Sequence, residues 1–202
     1  MSKSVSEVRD KLIFFRFFVL TMLKEKLKTS EKIAVVGVFA PIAIILASPV
    51  APSFPFPPLP FLLFELWEIP VYFALYLFGL RIALLVELLV YAVVQTHPYG
   101  LLFAPVYNLN AVVFTLLGAS LGFKFKKVVM SATLGVSTRV VETTLFNYVF
   151  LRLPPPFGFG LTLKGLMTIL PLLALFNAIQ AGYSLAIAFA VSKAVESRLE
   201  LT

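Results

Sequence analysis

Long apolar runs, separated by short polar or proline-rich segments, dominate the pattern of the chain. Several runs approach or exceed the roughly 18 apolar residues that a membrane-spanning helix requires. We therefore expect an all-α integral membrane protein with six transmembrane helices. The predicted spans cover about residues 32–50, 66–80, 81–96, 103–123, 127–151 and 164–192.

Basic residues are distributed unevenly around these spans, and their positions predict the topology. If the N-terminus lies in the cytoplasm, 14 of the 17 Lys and Arg residues flank cytoplasmic span ends, whereas only Arg152 and Lys164 lie outside. Cytoplasmic loops of membrane proteins are enriched in Lys and Arg. The sequence therefore predicts a multi-pass protein of the cell (plasma) membrane with both termini inside (N-in/C-in).

Two flanking segments remain outside the predicted spans. Residues 1–31 are basic and contain phenylalanines between residues 12 and 23, which predicts an amphipathic interfacial helix on the cytoplasmic side. Arg16 interrupts this apolar stretch and no small-residue cleavage site follows it, so we expect no cleavable signal peptide. Residues 32–193 then form one six-helix membrane domain, and residues 194–202 form a cytoplasmic tail.

Composition supports a membrane protein and argues against several functional classes. Apolar residues make up 60% of the chain and charged residues only 13%, about half the share in a typical soluble domain. The chain contains no cysteine and a single histidine, His97, so we expect no metal site. It also lacks the G-x-x-x-x-G-K-[ST] phosphate loop, HExxH and GxSxG, so we predict that it is not an enzyme and does not hydrolyse ATP itself. The net charge of +7 is concentrated beside the first span, which indicates contact with membrane lipid rather than nucleic acid.

The stretch FPFPPLPFLLFELWEIP, residues 54–70, falls on the predicted outer face between the first two spans. Its prolines fix the backbone, so we expect an extended, rigid lid over a pocket. The lid would be formed by Pro57, Pro58 and Phe61. Phe64 and Trp67 would then cover a flat ring. An alternative is that the aromatic residues only anchor the loop at the membrane interface.

Charged residues inside the spans are costly and are therefore candidates for function. Arg139 and Glu142 are three residues apart in span five, so we expect an intramembrane ion pair on one helix face. That pair could also be purely structural. Glu65 and Glu68 stand at the start of span two, where we expect them to complement the helix dipole. Glu87 in span three has no obvious local partner, and we assign it no role.

Amide side chains occur in the predicted outer halves of three spans, where they can form hydrogen bonds with a neutral polar ligand. The alternative for each amide is a hydrogen bond between helices. Because the amides occur on three different spans, we favour a shared ligand pocket. The candidate residues are Asn108 in span four, Asn147 in span five, and Asn177 and Gln180 in span six.

Small residues lie along two spans, where they allow another helix to approach closely. On span one they form a face that can dock another protein, made by Gly37, Ala40, Ala43 and Ala47. On span four, Gly118 and Gly122 form a GxxxG pair, for which we favour packing within the protein.

Several short motifs, taken together, resemble one family of membrane proteins. FELWEIPVYFALYLFG (64–79) resembles the acidic-x-x-[DE]-I-P…FG segment of S components, the substrate-binding subunits of energy-coupling factor (ECF) vitamin transporters. The riboflavin-binding branch is closest, because Arg139 and Asn147 match its helix-five Arg and Asn. LFNAIQ (175–180) resembles its helix-six P-F-N-x-I-K pattern, with Gln180 in place of the lysine.

This resemblance implies a subunit that captures a vitamin outside the cell and delivers it through a shared, ATP-driven module. Riboflavin would be the transported ligand, and no cofactor is implied. The implied partners are a transmembrane coupling protein and its two ATPase subunits, and the small face of helix one would contact the coupling protein. Alternatives are an S component for another vitamin or small metabolite, such as pantothenate, folate or thiamine, a solo transporter, and a non-transport membrane scaffold protein.

Overall fold

A computed structural model describes residues 28–94, 104–125 and 127–199 of the chain. His97 and most of the amphipathic helix predicted for residues 1–31 lie outside these ranges. Within them, the chain forms six helices that follow the predicted spans. They are α1 (Thr29–Leu46), α2 (Glu68–Phe78), α3 (Leu80–Val93), α4 (Ala104–Phe123), α5 (Val128–Phe150) and α6 (Leu163–Leu199).

Three of the helices are long and apolar enough to cross a membrane. They are α1, residues Pro105–Phe123 of α4 and residues Leu163–Arg198 of α6. These apolar helices indicate a membrane protein, while six crossings and their orientation stay predictions. The last helix continues through Leu199, so residues 194–199 of the predicted cytoplasmic tail are helical.

The short helix α2 forms the centre of the bundle. It has only 11 residues, but one side of it is completely enclosed by other helices. The enclosed residues are Val71, Tyr72, Ala74 and Leu75, each at most 1% exposed. The chain turns at Gly79, whose φ of 87° is a conformation that other residues rarely adopt, and α3 starts at the next residue. Because α2 is central, Glu68 at its first position is also buried.

The expected all-α fold needs one correction, because residues 54–64 form an antiparallel β-hairpin. Strand β1 (Phe54–Phe56) pairs with strand β2 (Leu59–Phe64), and residues 57 and 58 form the turn between them. Proline is tolerated in turns and at strand edges, since it donates no hydrogen bond. Unpaired backbone groups are costly away from water, so this apolar loop pairs its own backbone. The predicted extended lid is therefore a two-stranded hairpin.

The small residues of α1 do not form one outward face, so the predicted docking face is wrong as a unit. Ala40 and Ala43 are 2% and 0% exposed and pack in the core, whereas Gly37 is exposed and Ala47 is half-buried. A helix turns by about 100° per residue, so Gly37 lies about 120° away from Ala43 around the axis. Of the four residues, only Gly37 is exposed on the outer side of α1.

Helix α4 packs closely along α5, and both glycines of the GxxxG pair lie at this contact. A Cβ added at Gly118 would clash with Thr138 and with the Leu134 carbonyl oxygen. A Cβ at Gly122 would clash with the α5 backbone at Ser131. The prediction that this pair serves packing within the protein is confirmed.

We expect Gly118→Ala to destabilise the protein by about 1–3 kcal/mol, because an overpacked contact forces side chains and backbone to shift. Gly37→Ala is the matched control, since no described atom outside its own helical turn lies within 4 Å of the added Cβ. Alanine is the better helix former, so this control should gain up to about 1 kcal/mol. Thermal unfolding of both variants in detergent measures the difference, and equal effects would contradict a close contact at Gly118.

Candidate ligand cavity

A buried ion pair joins α2 to α5. Arg139 Nη1 and Nη2 donate to the two Glu68 carboxylate oxygens at 2.7 and 3.0 Å, and these side chains are only 4% and 3% exposed. The Tyr72 hydroxyl accepts from Arg139 Nη1 at 3.2 Å and donates to Glu68 Oε2 at 2.8 Å. Asn177 Oδ1 accepts from Arg139 Nε at 2.9 Å. This two-point pairing, with its additional hydrogen bonds, offsets the cost of burying both charges.

The predicted ion pair between Arg139 and Glu142 is therefore wrong. Glu142 instead accepts a hydrogen bond from Asn110 Nδ2 on α4. Arg139 lies in the interior, where Glu68 presents both carboxylate oxygens, and a two-point contact is stronger than a single one. The prediction that Glu68 acts as a dipole cap also needs correction: it lies in the first turn of α2, but its carboxylate is bound by Arg139.

Beside this ion pair lies a cavity of about 300 Å³, near the lower end of the range for small-molecule sites. The segment from the hairpin to α2 forms part of its wall, and α3, α4, α5 and α6 form much of the rest. Aromatic rings provide large flat surfaces in this wall. They include Trp67, Tyr91, Tyr107, Phe146 and Phe176.

The cavity brings together five of the nine residues predicted for the pocket and its lid. The five that line it are Phe61, Trp67, Asn108, Asn147 and Asn177. The other four are Phe64, Gln180, Pro57 and Pro58, and none of them belongs to the cavity wall. Both prolines are exposed in the hairpin turn. The amides of α4, α5 and α6 therefore converge as expected, with Gln180 as the exception.

Gln180 fixes the chain between β2 and α2 instead of lining the cavity. Its Nε2 donates to the Glu65 carbonyl oxygen at 2.9 Å, and its Oε1 accepts from the Glu65 N–H at 3.4 Å. The Tyr183 hydroxyl donates to the same carbonyl oxygen at 2.6 Å. Phe64 stacks on Phe176 of α6, with ring centroids 4.9 Å apart. These contacts attach the hairpin to α6, so Gln180 and Phe64 position the hairpin.

Trp67 belongs to the protein core and to the cavity wall at the same time. Its side chain is 6% exposed and packs among the core helices. Its Nε1 donates to Glu65 Oε2 at 3.0 Å. Burial raises the pKa of the Glu65 carboxyl above its usual value, and the hydrogen bond from Trp67 opposes that shift.

Three acidic residues line the cavity although the sequence pattern placed none of them there, namely Glu65, Glu87 and Glu142. Glu87 is 1% exposed, and among the described residues no donor reaches its Oε2. Glu142 Oε2 is also buried without a donor from this part of the chain. The sequence did contain a signal for Glu87, because it is an acidic residue in an apolar helix with no basic residue three or four positions away.

The arrangement of the helices is similar to that of a solved transporter subunit. A structure of the S component of a bacterial ECF transporter matches this chain with a TM-score of 0.71 and 20% sequence identity. The match covers 85% of this chain and 99% of that one. No protein-family model matches the chain, and no curated protein matches it in sequence. At this level of identity the likeness shows the fold, which is that of an S component.

Proposed function

We propose that this protein is the substrate-binding S component of an ECF-type transporter. It captures a small molecule outside the cell and delivers it through a shared, ATP-driven module. The observation that carries the proposal is a cavity of about 300 Å³ inside a bundle with the S-component fold. A purely structural scaffold has no need of such a cavity beside a tethered hairpin. The same fold supports six spans in the plasma membrane with both termini inside.

The composition of the cavity wall supports a ring-bearing B vitamin as the ligand. Trp67 and Phe146 offer flat apolar surfaces, and Asn108 and Asn147 offer amide donors and acceptors. Riboflavin, to which the sequence motifs point, combines a flat ring with a polyol and suits both kinds of surface. Anionic vitamins such as pantothenate suit the cavity less well, because Arg139 is already bound by Glu68.

The proposed partner is a transmembrane coupling protein that carries two ATPase subunits. The chain itself has no phosphate-binding loop, which agrees with that division of labour. The outward face of α1 carries Ile33, Gly37, Val38 and Ile45, all of them exposed. A glycine in an apolar helix face permits close helix packing. We propose that this face contacts the coupling protein, in place of the small-residue face predicted from the sequence.

Ligand binding by the purified full-length protein tests the proposed function. Mass spectrometry of copurifying small molecules identifies the ligand, and calorimetry with individual B vitamins measures its affinity and stoichiometry. We expect one vitamin to bind with one molecule per chain. A protein that copurifies with no small molecule and binds no B vitamin would be better explained as a membrane scaffold.

We expect Asn147→Leu to weaken ligand binding by about 10-fold or more, because the ligand loses an amide hydrogen-bond partner on the cavity wall. Asn147 lines the cavity and is 8% exposed. Asn177→Leu is the matched comparison. The Asn177 side chain binds Arg139 and also donates to the Leu173 carbonyl oxygen at 3.0 Å, so its replacement should lower stability. Calorimetry and thermal unfolding of both variants separate the two roles, and unchanged binding by Asn147→Leu would exclude that amide from the ligand site.

A further inference from the structure

The cavity wall carries more acidic than basic side chains. Glu65, Glu87 and Glu142 line it, and Arg139 is the one basic side chain among the described lining residues. The charge of Arg139 is already neutralised by Glu68, which binds both of its terminal nitrogens. A ligand in the cavity therefore meets carboxylates without a free cation in the described part of the wall.

Among these acidic side chains, Glu87 indicates most clearly which kind of ligand the cavity binds. It lies on α3, lines the cavity and is 1% exposed. Within the described ranges, no N–H or O–H group reaches its Oε2. A buried carboxyl group without a partner is costly, above all in its ionised form, and such a group in a folded protein requires an explanation. A positive charge brought by the ligand to this oxygen provides one.

We propose that the cavity binds its ligand through a positively charged nitrogen group, which donates to Glu87 Oε2. Glu142 Oε2, which is also buried without a donor in the described residues and belongs to the same cavity wall, serves as a second acceptor. The inference rests on the proposed transport function and names its ligand class. Attraction between opposite charges is weakly screened in a low-dielectric interior, so a cation gains most at this position.

This charge distribution changes the leading candidate for the ligand. An anionic vitamin meets several acidic side chains and no free cation among the described lining residues, and the neutral flavin ring offers only uncharged donors to Glu87. Hydrogen bonds between a charged donor and a carboxylate are roughly twice as strong as neutral ones. A vitamin with a cationic ring or an ammonium group therefore replaces riboflavin as the preferred ligand.

An organic cation suits the cavity better than a metal ion. Among the described residues, no group of three His, Cys, Asp or Glu side chains is arranged to hold a metal. Aromatic faces such as those of Trp67 and Phe146 line the same cavity, and ring faces attract organic cations. The chemistry therefore points to an amine, an amidine or a cationic heteroaromatic ring.

Calorimetry of the purified full chain with vitamins of different charge tests the inference. Thiamine and pyridoxamine carry a positive charge, riboflavin and pyridoxine are neutral, and pantothenate and biotin are anionic. Pyridoxamine and pyridoxine form a matched pair, because an ammonium group in one replaces a hydroxyl group in the other. We expect a cationic probe to bind most tightly, with pyridoxamine preferred to pyridoxine by about 10-fold or more.

Glu87→Gln removes the charge while it keeps the shape of the side chain. We expect it to weaken binding of the cationic probe by about 10-fold or more. The melting temperature of the ligand-free variant should stay about equal, because no described group donates to Glu87 Oε2 and the change breaks no described hydrogen bond at that oxygen. Glu196→Gln is the matched control: Glu196 binds Lys193 at 2.8 Å near the end of α6, outside the cavity wall, and its replacement should leave binding unchanged.

The outcomes separate this inference from the proposed function. Tightest binding of a neutral or anionic vitamin, or unchanged binding of the cationic probe by Glu87→Gln, would overturn the inference and leave the S-component proposal standing. A lower melting temperature of ligand-free Glu87→Gln would also count against it, because Glu87 would then have a structural partner. Binding of no vitamin at all would overturn the proposed function and this inference together.

Discussion

Replacing Arg139 with alanine is expected to destabilise the protein by about 3–5 kcal/mol, because it leaves a buried carboxylate without its cation. The stranded group is Glu68, whose side chain is 3% exposed at the start of the central helix α2. The change also removes the guanidinium donors to the Tyr72 hydroxyl and to Asn177 Oδ1. Thermal unfolding of the purified protein in detergent, at constant pH and detergent concentration, measures the loss.

Two further variants make the Arg139 prediction specific to the ion pair. Arg81→Ala removes an exposed charge on α3 and should change stability by no more than about 0.5 kcal/mol. The double replacement Glu68→Leu with Arg139→Leu removes both charges together, so it should be less destabilised than Arg139→Ala alone. A loss for Arg139→Ala no larger than that for Arg81→Ala would contradict the buried pair.

Trp67→Ala is expected to lower stability by about 3–5 kcal/mol, the range for truncating a buried tryptophan. It should also abolish most ligand binding, because the same ring forms part of the cavity wall. From the sequence alone, the expected effect of this change falls mainly on binding. The 6% exposure of Trp67 and its packing among the core helices revise that expectation to a loss of both.

Trp67→Phe separates the two roles of the tryptophan. Phenylalanine keeps an apolar ring in the core but cannot donate to Glu65 Oε2, as Trp67 Nε1 does at 3.0 Å. One lost hydrogen bond costs about 1 kcal/mol, so most of the stability should remain. Calorimetry of this variant then reports on the cavity wall without a large loss of fold. Wild-type stability of Trp67→Ala would contradict the buried position of the ring.

The helices of the described chain were predictable because a sufficiently long apolar run predicts a helix that can lie in a membrane. The span predicted at residues 103–123 corresponds to α4, which covers Ala104–Phe123. The span predicted at residues 127–151 corresponds to α5, which covers Val128–Phe150. Such a pattern needs only local information, since each helix satisfies its own backbone hydrogen bonds. The hairpin at residues 54–64 was missed because strand pairing in a short proline-rich loop has no comparable periodic signal.

The candidate site was only partly predictable. A polar residue within a long apolar run can be recognised from the sequence alone. Three such residues, Asn108, Asn147 and Asn177, do line one cavity. The hydrogen-bond partners of these residues cannot be predicted from the sequence, because the orientation of each side chain depends on how its helix is rotated in the bundle. For the same reason the sequence indicated Gln180 as a ligand contact, whereas its amide binds the backbone of Glu65.

The sequence by itself determined that this is a helical membrane protein and where the six helices of the described chain lie. It also determined which residues inside these helices can carry charge, and it carries the resemblance to S components. These properties follow from composition and from spacing within single segments. Only the tertiary structure decided that Arg139 pairs with Glu68, 71 positions away, and not with Glu142 on its own helix. That pairing leaves Glu87 and Glu142 facing a cavity in which the described residues offer no free cation. The physical reason is that the cost of a buried charge depends on which groups the packed helices bring within a few ångströms of it.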